Sequence, residues 1–183
     1  PKLGLPHRQP DFSLCRRQRL VTVAATMPPA HPSIFAILDE LPPVKIVDTG
    51  ANPTDGEPPH APPLRAGHAD VVGFEPNRTA LAVLQQKKGP RETYLPHAIG
   101  DGQRHTLHLT QASGMSSLLE PNPDLLGLFH GFPEWSRVVH TEDVDTVRLD
   151  DVPETAVADL IKIDIQGAEL MALSNAPQRL ASA

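Results

Sequence analysis

The stretch Val44-Lys45-Ile46-Val47-Asp48-Thr49-Gly50-Ala51-Asn52 decides the fold class of this chain. Its first five residues are rich in β-branched side chains and are bounded by prolines before them and a glycine turn after them. Such a run is typical of a strand that is buried on both faces of a parallel sheet. Gly50 indicates that the backbone passes close to a ligand, since a side chain there would collide with it.

Further strands and helices alternate along the chain. The same reasoning predicts strands at residues 69–75, 93–99 and 158–165, and helices at residues 57–64, 78–88 and after Gly167. Asn77 is expected to cap the helix 78–88. Pro63 predicts that the helix 57–64 is short or irregular, and Pro96 places the strand 93–99 at an edge or a bulge. Alternating strands and helices imply βαβ units and a parallel sheet with right-handed crossovers.

The region between the third and the last of these strands has a different pattern. Residues 106–110 alternate between polar and apolar side chains, as in a half-exposed antiparallel strand, and residues 145–149 are a further predicted strand. Residues 111–136 have little periodicity, which is typical of a functional loop or lid. Phe132 and Trp135 in this segment are either part of an acceptor lid or core anchors. The predicted fold is α/β, with a mostly parallel sheet that an antiparallel insert makes mixed.

Composition limits the classes of function. The formal net charge of −6 argues against a nucleic-acid backbone as the main partner, and no apolar run is long enough to span a membrane. Cys15 is the single cysteine, so the chain can form no internal disulfide, which fits a reducing compartment. We therefore expect a cytoplasmic protein that acts on small molecules; the pattern gives no oligomeric state.

The two ends of the chain differ from its middle. Residues 1–32 are basic at first and then rich in proline, and they are predicted to be a disordered leader and linker. A short helix is expected to begin at Ser33 and to open a domain over residues 33–183. Because the sequence stops at Ala183 just after a predicted helix begins, the domain is expected to be truncated at its C-terminus. A sheet that lacked further strands would expose an apolar edge.

Acidic residues follow three of the predicted strands. Asp48, Glu75 and Asp164 all lie at carboxyl ends, and in an open parallel sheet these ends converge on the crevice that binds ligands. Asp48 can reach the ammonium of a methionine moiety, and Glu75 can accept hydrogen bonds from both hydroxyls of a ribose. Asp164 is a candidate general base or acceptor ligand, but a cap of the following helix is an equal alternative. Lys162, on the same face as Asp164, is interpreted as a paired structural ion.

Several stretches of the chain together resemble the FkbM family of methyltransferases, within the class I Rossmann-like enzymes that use S-adenosylmethionine. The matching stretches are residues 47–52, 72–77, 98–101, 116–121, 148–151 and 159–169. The resemblance implies that Asp48, Gly50 and Asn52 line the methionine and ribose part of the cofactor, that Glu75 binds the ribose with Asn77 beside it, and that Ala98 and Ile99 lie by the adenine. It further implies that Asp164 faces the methyl group and a small-molecule acceptor.

Members of this family methylate oxygen, mainly hydroxyls of sugars or small natural products, and no metal is expected. Gln166 departs from the family pattern, which often has glutamate there. Two other functions stay open. A nicotinamide-dependent oxidoreductase is disfavoured, because no second glycine follows Gly50 at the spacing that dinucleotide folds need. A catalytically inactive fragment or binding module is the remaining alternative.

Overall fold

The computed structural model describes residues 41–53 and 57–183. The predicted leader and linker, residues 1–32, and the short helix predicted to begin at Ser33 lie outside the described residues. The regular elements, in chain order, are β1 (Val44–Thr49), α1 (Ala61–Arg65), β2 (Ala69–Phe74), α2 (Arg78–Lys87), β3 (Glu92–Leu95), β4 (Ala98–Ile99), β5 (Arg104–Thr110), α3 (Pro123–Leu126), α4 (Phe132–Trp135), β6 (Val138–Val147), β7 (Leu160–Ile163), α5 (Glu169–Ser174) and α6 (Pro177–Ser182).

The central sheet has four strands in the order β3-β2-β1-β7. All three pairings in it are parallel, so the carboxyl ends of the four strands lie along one edge. β1 is an inner strand with apolar side chains on both faces. Val47 packs into a cluster with Phe74, whereas Ile46 packs with Val71 into a second cluster. Burial on both faces explains why this strand reads as a continuous apolar run.

Prolines and a capping asparagine determine where the first two helices begin. α1 begins at Ala61, later than expected, so that Pro62 and Pro63 fall in its first turn. A proline is tolerated there because the first N–H groups of a helix have no partner inside the helix. α2 begins after Asn77, whose side chain accepts hydrogen bonds from the backbone N–H groups of Thr79 and Ala80, as predicted.

The predicted strand at residues 93–99 is two strands in two sheets. β3 pairs with β2 at the edge of the central sheet, and β4 pairs with β6. The break falls at Pro96 and His97, because proline cannot donate the hydrogen bond that a continuing strand needs. The antiparallel pairing therefore lies in a separate sheet of three strands, order β4-β6-β5, and the prediction that it makes the central sheet mixed was wrong.

The insert, defined here as residues 100–147, is dominated by the antiparallel pair β5 and β6. β6 is ten residues long and begins well before the strand predicted at residues 145–149. The segment between β5 and β6, predicted as a long irregular loop, holds a 3-10 turn at Ser113–Met115 and the short helices α3 and α4. Gly131 precedes α4 with φ of 83°, a conformation that glycine adopts without steric cost.

The last strand is shorter than its sequence predicts. β7 covers only Leu160–Ile163 and lies beside β1 at the end of the four-stranded sheet, where Leu160 is 50% exposed. α5 follows it, as expected after Gly167, and its Ala172 packs into the cluster around Val47 and Phe74. None of the helices in residues 41–53 and 57–183 is both long and apolar enough to cross a membrane.

Candidate functional site

One cavity opens at the carboxyl ends of the central strands. Its empty space, including the part that is open to solvent, is about 770 Å³, and it lies where open α/β sheets bind their ligands. All but one of the predicted site residues line it: Gly50, Asn52, Glu75, Asn77, Ala98, Ile99 and Asp164. The exception is Asp48, which lines a neighbouring hollow on the other side of the Gly50 turn.

Glu75 is a buried acid in the cavity wall. It follows β2 directly, and only 4% of its surface is exposed. Its Oε1 accepts a hydrogen bond of 2.8 Å from the backbone N–H of Asn77. Burial raises the pKa of Glu75 to about 7, against the opposing effect of that hydrogen bond. A carboxyl group with such a pKa is poised between its two protonation states near neutral pH, which is typical of a functional site.

Gly50 makes the turn at the end of β1 possible for two reasons. Its φ is 77°, a conformation that side chains other than glycine rarely adopt. A Cβ atom at this position would also lie 1.9 Å from the backbone carbonyl oxygen of Asp164. The space that the missing side chain leaves is therefore filled by the protein's own backbone, and not by a ligand as the sequence indicated.

Asp48 is engaged inside the protein. Its Oδ1 lies 2.9 Å from the Nζ of Lys162, and its Oδ2 lies 3.6 Å from the Nδ1 of His60. Burial raises the pKa of Asp48, against the opposing effect of Lys162, and burial lowers the pKa of His60. The Nδ1 of His60 is buried and has no hydrogen-bond partner among the residues that the structure describes, since 3.6 Å is too long for one. Lys162 is thus a paired ion, as its interpretation from sequence required.

Asp164 lies just after β7 and is exposed at the cavity mouth. Its Oδ1 accepts a hydrogen bond of 2.8 Å from the Nε2 of Gln166, a residue with φ of 57°. The carboxylate of Glu169 accepts hydrogen bonds from the backbone N–H groups of Ile165 and Gly167. Burial would raise the pKa of Glu169, but these backbone donors outweigh it and lower the pKa. Glu169, and not Asp164, therefore satisfies the backbone before α5.

The serine strap, residues 113–119, forms another wall of the cavity; it lies in the segment predicted as a functional loop or lid, but none of its residues was a predicted site residue. The Oγ of Ser113 donates to the Oδ1 of Asn52 at 3.0 Å, and the Oγ of Ser117 donates to the carbonyl of Gln166 at 2.9 Å. The strap therefore ties the insert to the loops after β1 and β7. A further signal in the sequence was that residues 116–121 are part of the family resemblance.

Apolar and aromatic groups line the far side of the cavity from Asp164. Ala98 and Ile99 are buried there, and the rings of Phe74 and His97 lie 6.5 Å apart between centroids. Leu107 and Leu109 of β5 complete this side. The cavity therefore has a polar end at Asp164 and Lys162 and a largely apolar end at β4. Within residues 41–53 and 57–183, no three His, Cys, Asp or Glu side chains are grouped to hold a metal ion.

A parallel α/β sheet with a glycine turn and a buried acid at its strand ends is the arrangement in which open α/β folds hold ligands, in the crevice beyond those ends. The chain matches the methyltransferase FkbM domain over residues 48–182, and it belongs to this family of methyltransferases. No curated protein and no solved structure matches it significantly. The match begins at Asp48 and includes every predicted site residue, and the predicted leader lies outside it.

Proposed function

We propose that this methyltransferase uses S-adenosylmethionine as methyl donor and methylates a hydroxyl group on a sugar or other small natural product. The observation that carries the proposal is the buried carboxylate of Glu75 in one cavity with Gly50, Asn52, Ala98 and Ile99. The family supports methyl transfer, and the cavity supports the kind of donor.

The residues present fit such a cofactor. Glu75 is a desolvated acid engaged by the backbone N–H of Asn77 and by the side chain of Asn52, and a ribose diol would offer it further O–H donors. A buried charge is costly unless it is hydrogen-bonded, so a ligand that brings donors to Glu75 is favoured over an apolar one. Ala98 and Ile99 offer an apolar surface for a purine ring, with His97 beside them.

In such a reaction the main task of the protein is to position the two reactants. S-adenosylmethionine, when bound, supplies a methyl group on a sulfonium as the electrophile of an in-line displacement. Gly50, Asn52 and Glu75 would hold this cofactor in the cavity, and the carboxylate of Asp164 would accept the proton of the acceptor hydroxyl. Asp164 suits this role because it lies at the cavity mouth and is not used to cap α5. Orientation of the reactants is the main source of rate in such a site.

Calorimetry with S-adenosylhomocysteine tests the proposal. We expect the parent chain to bind it and Glu75→Ala to bind at least tenfold more weakly, since a hydrogen bond to a charged group contributes roughly 1.5–3 kcal/mol. Glu154→Ala is the matched control, because Glu154 is an exposed acid that does not line the cavity. Equal affinity of the parent and Glu75→Ala, or no binding by the parent, would show that the cavity is not a site for this cofactor.

A further inference from the structure

Among the described residues, 41–53 and 57–183, Lys162 is the one lysine or arginine that lines the cavity. Its side chain is 29% exposed, whereas that of its partner Asp48 is 3% exposed. The Nζ of Lys162 lies 2.9 Å from the Oδ1 of Asp48 and donates a hydrogen bond of 3.1 Å to the carbonyl of Gly50. Lys162 therefore lines both this cavity and the neighbouring hollow, whereas Asp48 lines the hollow and not the cavity.

The charge of Asp48 is already compensated within the protein. A second cation, such as the ammonium of a methionine moiety, would gain less from a carboxylate that is paired with Lys162 than from a free one. The ammonium of Lys162 has three N–H donors; it forms an ion pair with Asp48 and donates one hydrogen bond, to the carbonyl of Gly50, so that at most two donors are used. The third is available to an anionic group in the cavity.

The backbone of the turn does not compete for such an anion. The N–H groups of Gly50 and Ala51 both donate to the carbonyl of Phe74, at 3.2 and 3.0 Å. These two hydrogen bonds hold the turn to β2, and both N–H groups are therefore already occupied. In the part of the chain that the structure describes, Lys162 is thus the cationic group of the cavity wall that can meet a carboxylate.

We propose that Lys162 binds the carboxylate of the methionine portion of the cofactor, and that Asp48 is a positioning residue that holds Lys162 beside the Gly50 turn. This assignment rests on the proposed function, and it differs from the role that the family resemblance implies for Asp48. The assignment predicts that a lysine of β7 recognises the carboxylate at the amino-acid end of the ligand.

Two ligands separate the carboxylate from the rest of the cofactor. S-adenosylhomocysteine carries the amino-acid group, whereas 5′-methylthioadenosine has the same adenine, ribose and thioether without it. We expect Lys162→Met to bind S-adenosylhomocysteine about tenfold or more weakly and to bind 5′-methylthioadenosine like the parent chain. Glu75→Ala should weaken both ligands, because both contain the ribose.

Further variants distinguish a loss of binding from a folding defect. They also test the alternative that Asp48, and not Lys162, contacts the ligand. Lys162→Met alone leaves Asp48 buried without its partner, so the double variant Asp48→Asn with Lys162→Met is measured beside it. Lys162→Arg should restore part of the affinity, and Asp48→Asn alone should retain more affinity than Lys162→Met. Lys45→Met is the matched control, since Lys45 is a paired lysine on β1 that lies outside the cavity.

The outcomes are distinct. A selective loss of S-adenosylhomocysteine in both Lys162→Met and the double variant supports the assignment. Equal loss of both ligands, no loss of either, or a loss confined to Asp48→Asn would overturn it while leaving the proposed cofactor intact. If the parent chain binds neither ligand, the proposed function fails, and this assignment fails with it.

Discussion

The two walls of the cavity are built in opposite ways. The sheet wall, formed by the loops after β1, β2 and β7, places Asp48 and Glu75 in the interior and fixes Gly50 against the backbone of Asp164. The insert wall, formed by β5 and the serine strap, is joined to the loops after β1 and β7 by side-chain hydrogen bonds, while β6 behind it pairs with β4. Beyond the strap it exposes several large apolar groups: Leu125, Leu128, Phe129, Trp135, Val138 and Val139.

The two walls differ in how easily they can move. A wall made of strand ends cannot shift without disturbing the core, so it suits a ligand whose shape is fixed. A wall on surface-exposed segments can move or change in sequence at smaller cost in stability. Substitutions in the sheet wall should therefore lower the stability of the whole fold, and substitutions in the insert wall should change only their surroundings.

The largest effect is expected from Gly50→Ala. The new Cβ would overlap the carbonyl of Asp164, so the turn or the end of β7 must move, and we expect a loss of more than about 3 kcal/mol in the free energy of unfolding. Gly67→Ala is the control: its φ is 82°, but no atom of the described part of the chain lies within 4 Å of its Cβ position. Strain alone should cost about 1–2 kcal/mol there. If chemical denaturation gave similar losses for the two variants, the contact between the new Cβ at position 50 and the carbonyl of Asp164 would not be the cause.

Glu75→Gln should stabilise the ligand-free chain at alkaline pH. Burial raises the pKa of Glu75 to about 7 from an ordinary value near 4.5, so the folded state holds a proton that the unfolded state releases between these values. Stability that Glu75 contributes below pH 4.5 is therefore lost as the pH rises to 7 and beyond, by up to about 3 kcal/mol.

The test is the difference in unfolding free energy between Glu75→Gln and the parent chain, measured by urea denaturation from pH 5 to pH 8. We expect the difference to grow in favour of the variant as the pH rises and to level off above pH 7. Glu154→Gln, at an exposed position, should give a difference that does not change with pH. A flat profile for Glu75→Gln would mean that burial does not raise the pKa of Glu75.

The sheet wall could be predicted from sequence and much of the insert could not. β1 and β2 lie within a residue or so of their predicted bounds, because strands buried on both faces need unbroken apolar runs. The first half of β6 was missed, since most of its residues from Val138 to Asp143 are exposed and carry no apolar alternation. A two-stranded ribbon held by backbone hydrogen bonds leaves little trace in side-chain pattern.

The same contrast holds within the site. Strand-end geometry is enough to bring Gly50, Glu75 and Asp164 to one cavity, because the ends of parallel strands meet at one edge. No spacing rule links Asp48 to Lys162, which lie on neighbouring strands far apart in the chain. The register of β1 against β7 pairs these two residues directly, and only the structure supplies that register.

The smallest effect is expected from the strap. The Oγ of Ser117 donates to the carbonyl of Gln166 and accepts from the N–H of Leu119, so Ser117→Ala should cost about 1 kcal/mol. We expect faster hydrogen exchange at Leu119 and His108 and unchanged exchange at Val47 in β1. Ser113→Ala removes one exposed hydrogen bond to Asn52 and should change less. Faster exchange throughout β1 in Ser117→Ala would show that the insert wall is as tightly coupled to the core as the sheet wall.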